Sequence, residues 1–431
     1  MKLYNNININ QKINIKDHYF IIFFFFLSFL LSANLAWFNP YPGAPVYKVF
    51  EGFPFLWQFN RDVPVEILSS TGFLEYFERD PTRLERPGLP FLAFIFGHII
   101  YFLNFGIIDL PLIYFTAGSY ILVNFLLHYI ASILLYKILK IYFSENISKI
   151  GIMIFFLNYM IIRHFAEITT LNMHLLTPII ISYLTLKFLS KENFLNIFLL
   201  SFVIGLLVLI KSLYSFYIAI LIFLFFKKKY LRIVQSVIIH SIPMLTWLLI
   251  LKYNNLEFYS ATMKGNVPGQ QVFMVTWFFN DLLNYNFQDI FDQLFLSLRN
   301  FFIIFIKYYN FLIIFVILGF FEFMKIENNQ IKKDFLMITF IVICLSFIQF
   351  YMAHKNSSHM YMGGDYFLLC SLYALFFLKK IEPKKFIISI ILILAFLINT
   401  TKLPYVSPYD LNGVEWEKKF KPNSKSLKYF D

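Results

Sequence analysis

The feature that most constrains this chain is a succession of apolar runs, each about as long as a bilayer is thick. These runs recur from Tyr19 to Asn399 and are separated mostly by short polar segments. A helix of about 20 apolar residues spans the hydrocarbon core of a membrane. Of the 431 residues, 59% are hydrophobic and 58 are phenylalanine, which is more apolar surface than a soluble domain can bury. The sequence therefore predicts an all-α polytopic membrane protein.

Charge and cysteine usage exclude several other classes. The net charge of +12 would suit nucleic-acid binding, but the basic residues lie in short clusters between apolar runs, as membrane topology requires. Cys344 and Cys370 both lie within apolar runs, which indicates core residues rather than a disulfide or a metal pair. The sequence contains no phosphate-loop, dinucleotide or zinc-protease motif. We therefore expect no nucleic-acid partner.

The positive-inside rule arranges the runs into about eleven transmembrane helices in the inner or plasma membrane. Residues 19–38 are predicted to be a retained anchor, with a cleaved signal peptide as the alternative. Residues 89–105 are predicted to lie on the outer surface as an interfacial amphipathic helix. Counting them as a crossing would place the lysine run 227–229 outside. The N-terminus is then cytoplasmic and the C-terminus extracytoplasmic. The other crossings are predicted at residues 110–136, 150–162, 171–186, 194–210, 213–226, 233–251, 308–324, 335–353, 361–378 and 386–399.

The predicted organisation is one membrane domain, residues 1–399, followed by an outer tail, residues 400–431. Two long loops, residues 39–109 and 252–307, are predicted to be extracytoplasmic. The first is the predicted active site, because residues 78–86 carry six charged side chains in a chain with only 14% charged residues.

Ionisable groups near hydrocarbon are costly, so they are usually functional or paired. Here they concentrate at the predicted outer turns, while the middle of the helices is nearly free of charge. That distribution favours an enzyme working at the outer rim over a transporter with a site at the midplane. Asp62 and Asp80 are the predicted catalytic carboxylates. The predicted substrate-binding residues are Glu78, Arg83, Arg86, Glu167, Lys211, His359 and Asp365.

Plainer roles compete with several of these predictions. Lys211 could be an interfacial anchor rather than a point charge that binds phosphate. Arg163 and Glu167 have the i, i+4 spacing of a helical ion pair and could simply bind each other. Asp80 lies among arginines and could belong to a structural ion network, whereas Asp62 has fewer cations near it in sequence. Asp62 is therefore ranked ahead of Asp80 as a catalytic base.

Three short strings resemble the membrane-embedded glycosyltransferases of the C superfamily (GT-C). That superfamily includes dolichyl-phosphate-mannose mannosyltransferases and bacterial aminoarabinose and lipopolysaccharide sugar transferases. DPTRLERPGLPFLA, residues 80–93, is similar to DxPxYRxxRPLYPLLA of bacterial members, with Gly88 where Leu or Pro is usual. GLLVLIKS, residues 205–212, is similar to the helix end GLxxGLAxLTK. HMYMGGDYFLL, residues 359–369, stands where many members carry a late outer motif with Arg-Tyr, which is Asp365-Tyr366 here.

The resemblance implies an inverting hexosyl or pentosyl transferase with a polyprenyl-phosphate sugar donor and an extracytoplasmic glycan, lipid or protein acceptor. Asp62 or Asp80 would accept the proton of the acceptor hydroxyl. Arg86 and Lys211 would stabilise the charge that develops on the leaving phosphate. No cofactor is predicted, and the sequence leaves open whether a divalent metal ion binds. The alternative function is a transporter or flippase of lipid-linked glycans, which would use the same basic rim for binding alone.

Overall fold

The structure is a computed structural model that describes a little more than half of the chain. The described residues are 13–38, 72, 74, 86–110, 112–157, 161, 165, 173–210, 214–256, 281–292, 294–296, 298–299, 312–326, 329–347 and 367–381. All regular secondary structure in this part of the chain is helical, which confirms the all-α class. Its main helices are α1 (Ile15–Phe38), α2 (Gly88–Leu103), α3 (Leu112–Tyr142), α4 (Glu145–Phe156), α5 (Met173–Ser190), α6 (Phe194–Ile210), α7 (Tyr214–Phe226), α8 (Tyr230–Tyr253), α9 (Leu312–Met324), α10 (Asn329–Phe347) and α11 (Phe367–Ile381).

Each predicted apolar run up to residue 378 coincides with one of these helices, and helix ends differ from the predicted ends by up to about six residues. The last predicted run, residues 386–399, lies outside the described residues. Two stretches are long and apolar enough to cross a membrane by length and composition, Tyr114–Tyr142 in α3 and Tyr230–Tyr253 in α8. In the described part of the chain no further stretch passes that test, so the count of about eleven crossings stays a prediction.

Several helices share one end that is rich in lysines, which we call the lysine end and define by Lys137, Lys149, Lys229 and Lys380. Lys137 of α3 lies 5.8 Å from the ring centroid of Tyr183, so the C-terminal parts of α3 and α5 lie side by side and the two helices run parallel. The helix ends opposite to it are called the far end below.

Helices α6 and α8 also run parallel to each other, away from the lysine end. Their N-terminal ends are tied together by the ion pair of Lys229 with Glu192, at 2.9 Å. About two turns further on, the Ser201 hydroxyl donates a hydrogen bond of 2.8 Å to the hydroxyl of Ser236. Gly205 then lies directly against the backbone of α8, where an added Cβ would meet the His240 carbonyl oxygen at 2.5 Å. Absence of a side chain at this position therefore allows the two helices to approach closely.

Helix α1 is part of the protein core. The ring of Phe25 contacts four other aromatic rings, with centroid distances of 5.0–6.2 Å, namely those of Phe125, Tyr129, Phe156 and Phe165. The Ser28 hydroxyl donates a 2.6 Å hydrogen bond to the Phe156 carbonyl at the end of α4. Whether residues 19–38 are retained as an anchor or cleaved as a signal peptide stays a prediction.

Helix α2 packs against the first half of α3. Its buried residues Leu89, Ala93 and Gly97 are spaced by four and so share one face. A Cβ on Gly97 would lie 2.7 Å from the Thr116 Cα, which shows how close the two backbones come.

The turn after α2 is held by Asn104, whose side chain accepts a hydrogen bond from the Ile108 amide and donates one to the Ile108 carbonyl. The C-terminal end of α2 lies at the far end of the bundle, because it leads directly into α3, which finishes at the lysine end. The N-terminal end of α2 lies there too, because Gly88 packs against the last turn of α6. This placement is consistent with the predicted outer position of residues 89–105.

Candidate active site

Only one of the nine predicted site residues, Arg86, lies in the described part of the chain. The other eight lie outside the described residues, and their roles stay predictions. They are Asp62, Glu78, Asp80, Arg83, Glu167, Lys211, His359 and Asp365. The candidate site is therefore characterised through the helix ends that lead into these residues.

The start of α2 sits directly on the last turn of α6. A Cβ on Gly88 would lie 2.7 Å from Cγ1 of Ile210 and 3.1 Å from the Ile210 backbone nitrogen. It would also lie 3.1 Å from the carbonyl carbon of Leu209. Such distances are shorter than ordinary contacts between side chains and neighbouring atoms, so only glycine fits here without a shift. We call this contact the α2–α6 junction.

A small apolar cluster includes Leu209, one of the residues of the junction. Trp247 and Leu251 of α8 are its buried members, at 5% and 1% exposure. Leu209 of α6 and Phe94 of α2 pack against them. Each of the three helices therefore contributes a side chain to the same cluster, which holds their far ends together.

Two predicted cations lie close in sequence to the residues of the junction. Arg86 precedes Gly88 by two residues, and Lys211 directly follows Ile210 in sequence. Neighbouring Cα atoms are about 3.8 Å apart along a chain, so both positions are tied to the junction by a short stretch of backbone. Arg86 itself is partly buried.

A cavity of about 210 Å³ opens between α6 and α8, nearer to the lysine end than the junction is. Gly205, five residues before Ile210, lies on its wall, which corresponds to about 7 Å along the helix axis. His240 also lines it and stacks on the Tyr217 ring of α7, with the centroids 3.9 Å apart. The rest of the wall is formed by Val208, Ser241, Met244 and Leu245.

The connection between α4 and α5 contains a described residue, Phe165, that packs against the middle of α3. Phe165 is fully buried, and its ring lies 4.6 Å from that of His128 and 5.3 Å from that of Phe125. Glu167 follows Phe165 by two residues in sequence. Phe165 therefore fixes one point of the connection that carries this predicted substrate-binding carboxylate.

Within the described residues, no group of three or more His, Cys, Asp or Glu side chains is placed to hold a metal ion. Most of the predicted acidic rim lies in loops beyond those residues. The question of a divalent metal therefore stays open.

The lysine end carries a different kind of charge cluster. Asp17 is 3% exposed, and its carboxylate lies 3.0 Å from the Lys149 ammonium, which also donates a 2.6 Å hydrogen bond to Glu145. Burial by itself raises the pKa of Asp17, but the Tyr136 hydroxyl and the Lys149 ammonium outweigh it and lower the pKa below its ordinary value. The Glu145 carboxylate, together with Asp17, raises the pKa of Lys149. This cluster ties α1 to α4 and is structural.

Sequence reasoning missed the partners of the junction. Trp247 was counted only as part of an apolar run, although an indole near the end of a membrane helix is a common interfacial signal. Gly88 departs from the related motif. The end of the helix it packs against lies about 120 residues later in the chain, so the sequence around Gly88 does not indicate this contact.

Comparison with known protein families gives one match. Residues 108–253, about a third of the chain, match the family model described as dolichyl-phosphate-mannose-protein mannosyltransferase. This is a glycosyltransferase family of the GT-C superfamily, so the match confirms the predicted resemblance. Comparison with curated proteins and with solved structures gave no match. The matched segment spans α3 to α8 and includes Glu167 and Lys211, whereas the first loop with Asp62 and Asp80 precedes it.

Proposed function

We propose that this chain is a membrane-embedded glycosyltransferase that transfers a sugar from a polyprenyl-phosphate donor to an acceptor on the extracytoplasmic side. The family match supports a membrane glycosyltransferase with a lipid-linked donor. The single structural observation that carries the proposal is the α2–α6 junction, because it connects the backbone near Arg86 to the backbone near Lys211.

Arg86 and Lys211 are the two cations proposed to act on the donor phosphate in such a reaction. Breaking the bond between the anomeric carbon and the phosphate oxygen leaves a negative charge on the departing polyprenyl phosphate. A guanidinium can hold two phosphate oxygens at once, and an ammonium acts as a point charge. Arg86 and Lys211, each within two residues of the junction in sequence, would bind the donor phosphate and stabilise the charge that grows on it.

The first loop supplies the base in this proposal. The acceptor hydroxyl oxygen forms a new bond to the anomeric carbon while the phosphate leaves with the electron pair of the old bond. The proton of the hydroxyl passes to Asp62 or, as second choice, Asp80. Because one displacement occurs from the side opposite the leaving group, the configuration at the anomeric carbon is inverted. Glu78, Arg83, Glu167, His359 and Asp365 are proposed to contact the substrates.

Purified protein in lipid nanodiscs tests this proposal with synthetic polyprenyl-phosphate hexoses and pentoses as donors. We expect release of polyprenyl phosphate that depends on the protein and on a hydroxyl acceptor. If the protein instead moves a lipid-linked glycan across the bilayer of proteoliposomes and releases no sugar from any donor, it is the alternative transporter or flippase. No single acceptor is proposed, so mixtures of glycans, lipids and peptides serve as acceptors in the first assay.

A further inference from the structure

The lysine ends of α9, α10 and α11 carry a group of ammonium ions with one carboxylate among them. Lys325, which directly follows α9, binds Oε1 of Glu322 at 2.8 Å, and Lys380 of α11 binds the same oxygen at 2.7 Å. Lys332 of α10 donates a hydrogen bond to the carbonyl of Met324, the residue before Lys325. We call Lys325, Lys332 and Lys380 the lysine triad. Three helices therefore each bring one ammonium to the same place.

The lysine triad keeps an excess of positive charge. Lys149, at the same end of the bundle, binds two carboxylates, and its side chain is 25% exposed. Lys325 and Lys380 share a single carboxylate, and their side chains are 65% and 56% exposed. The sequence segments that contain the triad, residues 322–334 and 379–385, carry seven lysines against four acidic residues. The triad is therefore an accessible site for an anion.

One side of α9 forms an apolar stripe that leads to the triad. Ile314, Ile317 and Phe321 are each more than half exposed. Their spacing of three and four residues places them on one side of the helix, and Lys325 continues the same spacing. From Ile314 to Lys325 the stripe extends about 16 Å along the helix axis, close to half the thickness of the hydrocarbon core. A free phosphate ion would use only the lysines, whereas a phospholipid can place its headgroup on them and a chain along the stripe.

We propose that the lysine triad and the apolar stripe of α9 bind an anionic phospholipid of the membrane leaflet at the lysine end. Oxygens of the lipid phosphate accept hydrogen bonds from Lys325 and Lys380, and the added negative charge offsets the repulsion between the two ammonium ions. The ligand is a resident lipid and not the sugar donor. The inference is independent of the proposed function, because this site and the α2–α6 junction lie at opposite ends of the bundle.

Nanodiscs of phosphatidylcholine with increasing fractions of phosphatidylglycerol test this binding. A lipid that binds only the folded protein raises its unfolding temperature, so the dependence on the phosphatidylglycerol fraction gives an apparent affinity. Lys325→Gln and Lys380→Gln should each weaken this affinity about fivefold, the effect of one lysine near an anionic membrane surface. Lys191→Gln removes an exposed lysine at the same end and is the matched control. Its apparent affinity should equal that of the unaltered protein.

Glu322→Gln separates lipid binding from a structural role of the ion pairs. It removes the carboxylate that partly neutralises the lysines, so the affinity for phosphatidylglycerol should rise even though the ion pairs are lost. A purely structural group would lower the unfolding temperature in phosphatidylcholine alone and leave the dependence on phosphatidylglycerol unchanged in all these variants, which would overturn the proposal.

Two further outcomes would also contradict the site. If Lys191→Gln weakens the affinity as much as Lys325→Gln does, the attraction is spread over the whole charged surface and the triad is not a specific site. If inorganic phosphate added to phosphatidylcholine nanodiscs raises the unfolding temperature as much as phosphatidylglycerol does, the apolar stripe has no role and the ligand is not a lipid.

Discussion

At the scale of single residues, the proposed chemistry depends on charges in loops and next to helix ends rather than within the helices. Arg86 lies just before a helix that begins with Gly88, and Lys211 just after one that ends at Ile210. Helix ends at a membrane surface can hold such charges in contact with water, whereas a charge in the hydrocarbon is costly. Binding of a charged phosphate is therefore compatible with a largely apolar bundle.

The donor phosphate provides the first prediction at this scale. Lys211→Met and Arg86→Met should each weaken donor binding by about 1.5–3 kcal/mol, the range for a hydrogen bond to a charged group. Direct donor binding to purified protein, measured by titration of fluorescence, checks the size of the effect. Lys187→Met, near the lysine end, is the control and should leave binding unchanged. Equal affinities in all three variants would leave Lys211 and Arg86 as membrane anchors.

The catalytic base provides the second prediction. Asp62→Asn keeps the shape of the side chain but removes the ionised carboxylate, so turnover should fall about 10²-fold or more while the donor still binds. Single-turnover rates at saturating donor measure this loss. Asp410→Asn in the C-terminal tail should retain normal turnover. Full activity of Asp62→Asn together with an inactive Asp80→Asn would move the role to Asp80, and full activity of both would exclude a base in this loop.

At the scale of secondary-structure elements, the helices are joined by different interactions at the two ends of the bundle. At the far end, α2, α6 and α8 meet through Gly88 and the apolar cluster around Trp247. At the lysine end, α1 and α4 are joined by the ion pair of Asp17 with Lys149. We expect the second contact to depend on pH, because the pKa of Asp17 is lowered by its partners.

This ion pair leads to a prediction about stability. Lys149→Met leaves the Asp17 carboxylate buried without the ammonium that faces it, and should reduce the free energy of unfolding by about 1–3 kcal/mol. Asp17→Asn should cost less, and the losses in the double variant should not add. Thermal unfolding in detergent at neutral pH measures all three. Full additivity would show that the two side chains do not interact.

The pH dependence of the same pair follows from the lowered pKa of Asp17. Its stabilising contribution is fully present above the ordinary carboxyl pKa of about 4 and is lost as the pH falls through the lower pKa of the folded protein. The gap in unfolding temperature between the unaltered protein and Asp17→Asn should therefore be constant from pH 5 to 8 and shrink below pH 4. A gap that does not shrink at all below pH 4 would contradict this explanation.

At the scale of the whole molecule, the lysine end gives the bundle its polarity. Lysines at the ends of helices far apart in sequence meet there. One group lies around Glu322, which binds Lys325 at 2.8 Å and Lys380 at 2.7 Å. In membrane proteins, basic residues of short loops concentrate on the cytoplasmic side. We therefore expect this end to face the cytoplasm and the α2–α6 junction to face outward.

Reporter fusions test this orientation. A fusion after Lys140 should report a cytoplasmic position, and one after Asp431 an extracytoplasmic position, because α2 is not counted as a crossing. The control is a fusion at Lys228, which lies in a turn at the same end as Lys140 and must give the same signal. A cytoplasmic signal at Asp431 would show that the number of crossings has the opposite parity.

Much of the helical architecture could be predicted from the sequence because the signal is local. The run at residues 194–210 coincides with α6 to the residue, since an uninterrupted apolar stretch between polar flanks leaves little choice in a bilayer. The charged stretch at 78–86 and the lysine clusters are equally visible in the sequence. The resemblance to GT-C transferases, carried by short strings around Gly88 and Lys211, was confirmed by the family match over residues 108–253.

Only the tertiary structure decided which of these segments meet. Periodicity shows that Gly88 begins a helix and that Ile210 ends one, but not that their backbones come into contact. Nothing in the sequence pattern indicated that Trp247, Leu209 and Phe94 would form one apolar cluster that includes a residue of that contact. Contacts between helices in a membrane depend on shape, because lipid is as apolar as the side chains and no hydrophobic pattern marks the interface. The sequence by itself therefore determined the helices and the charges, and packing determined the site that they form.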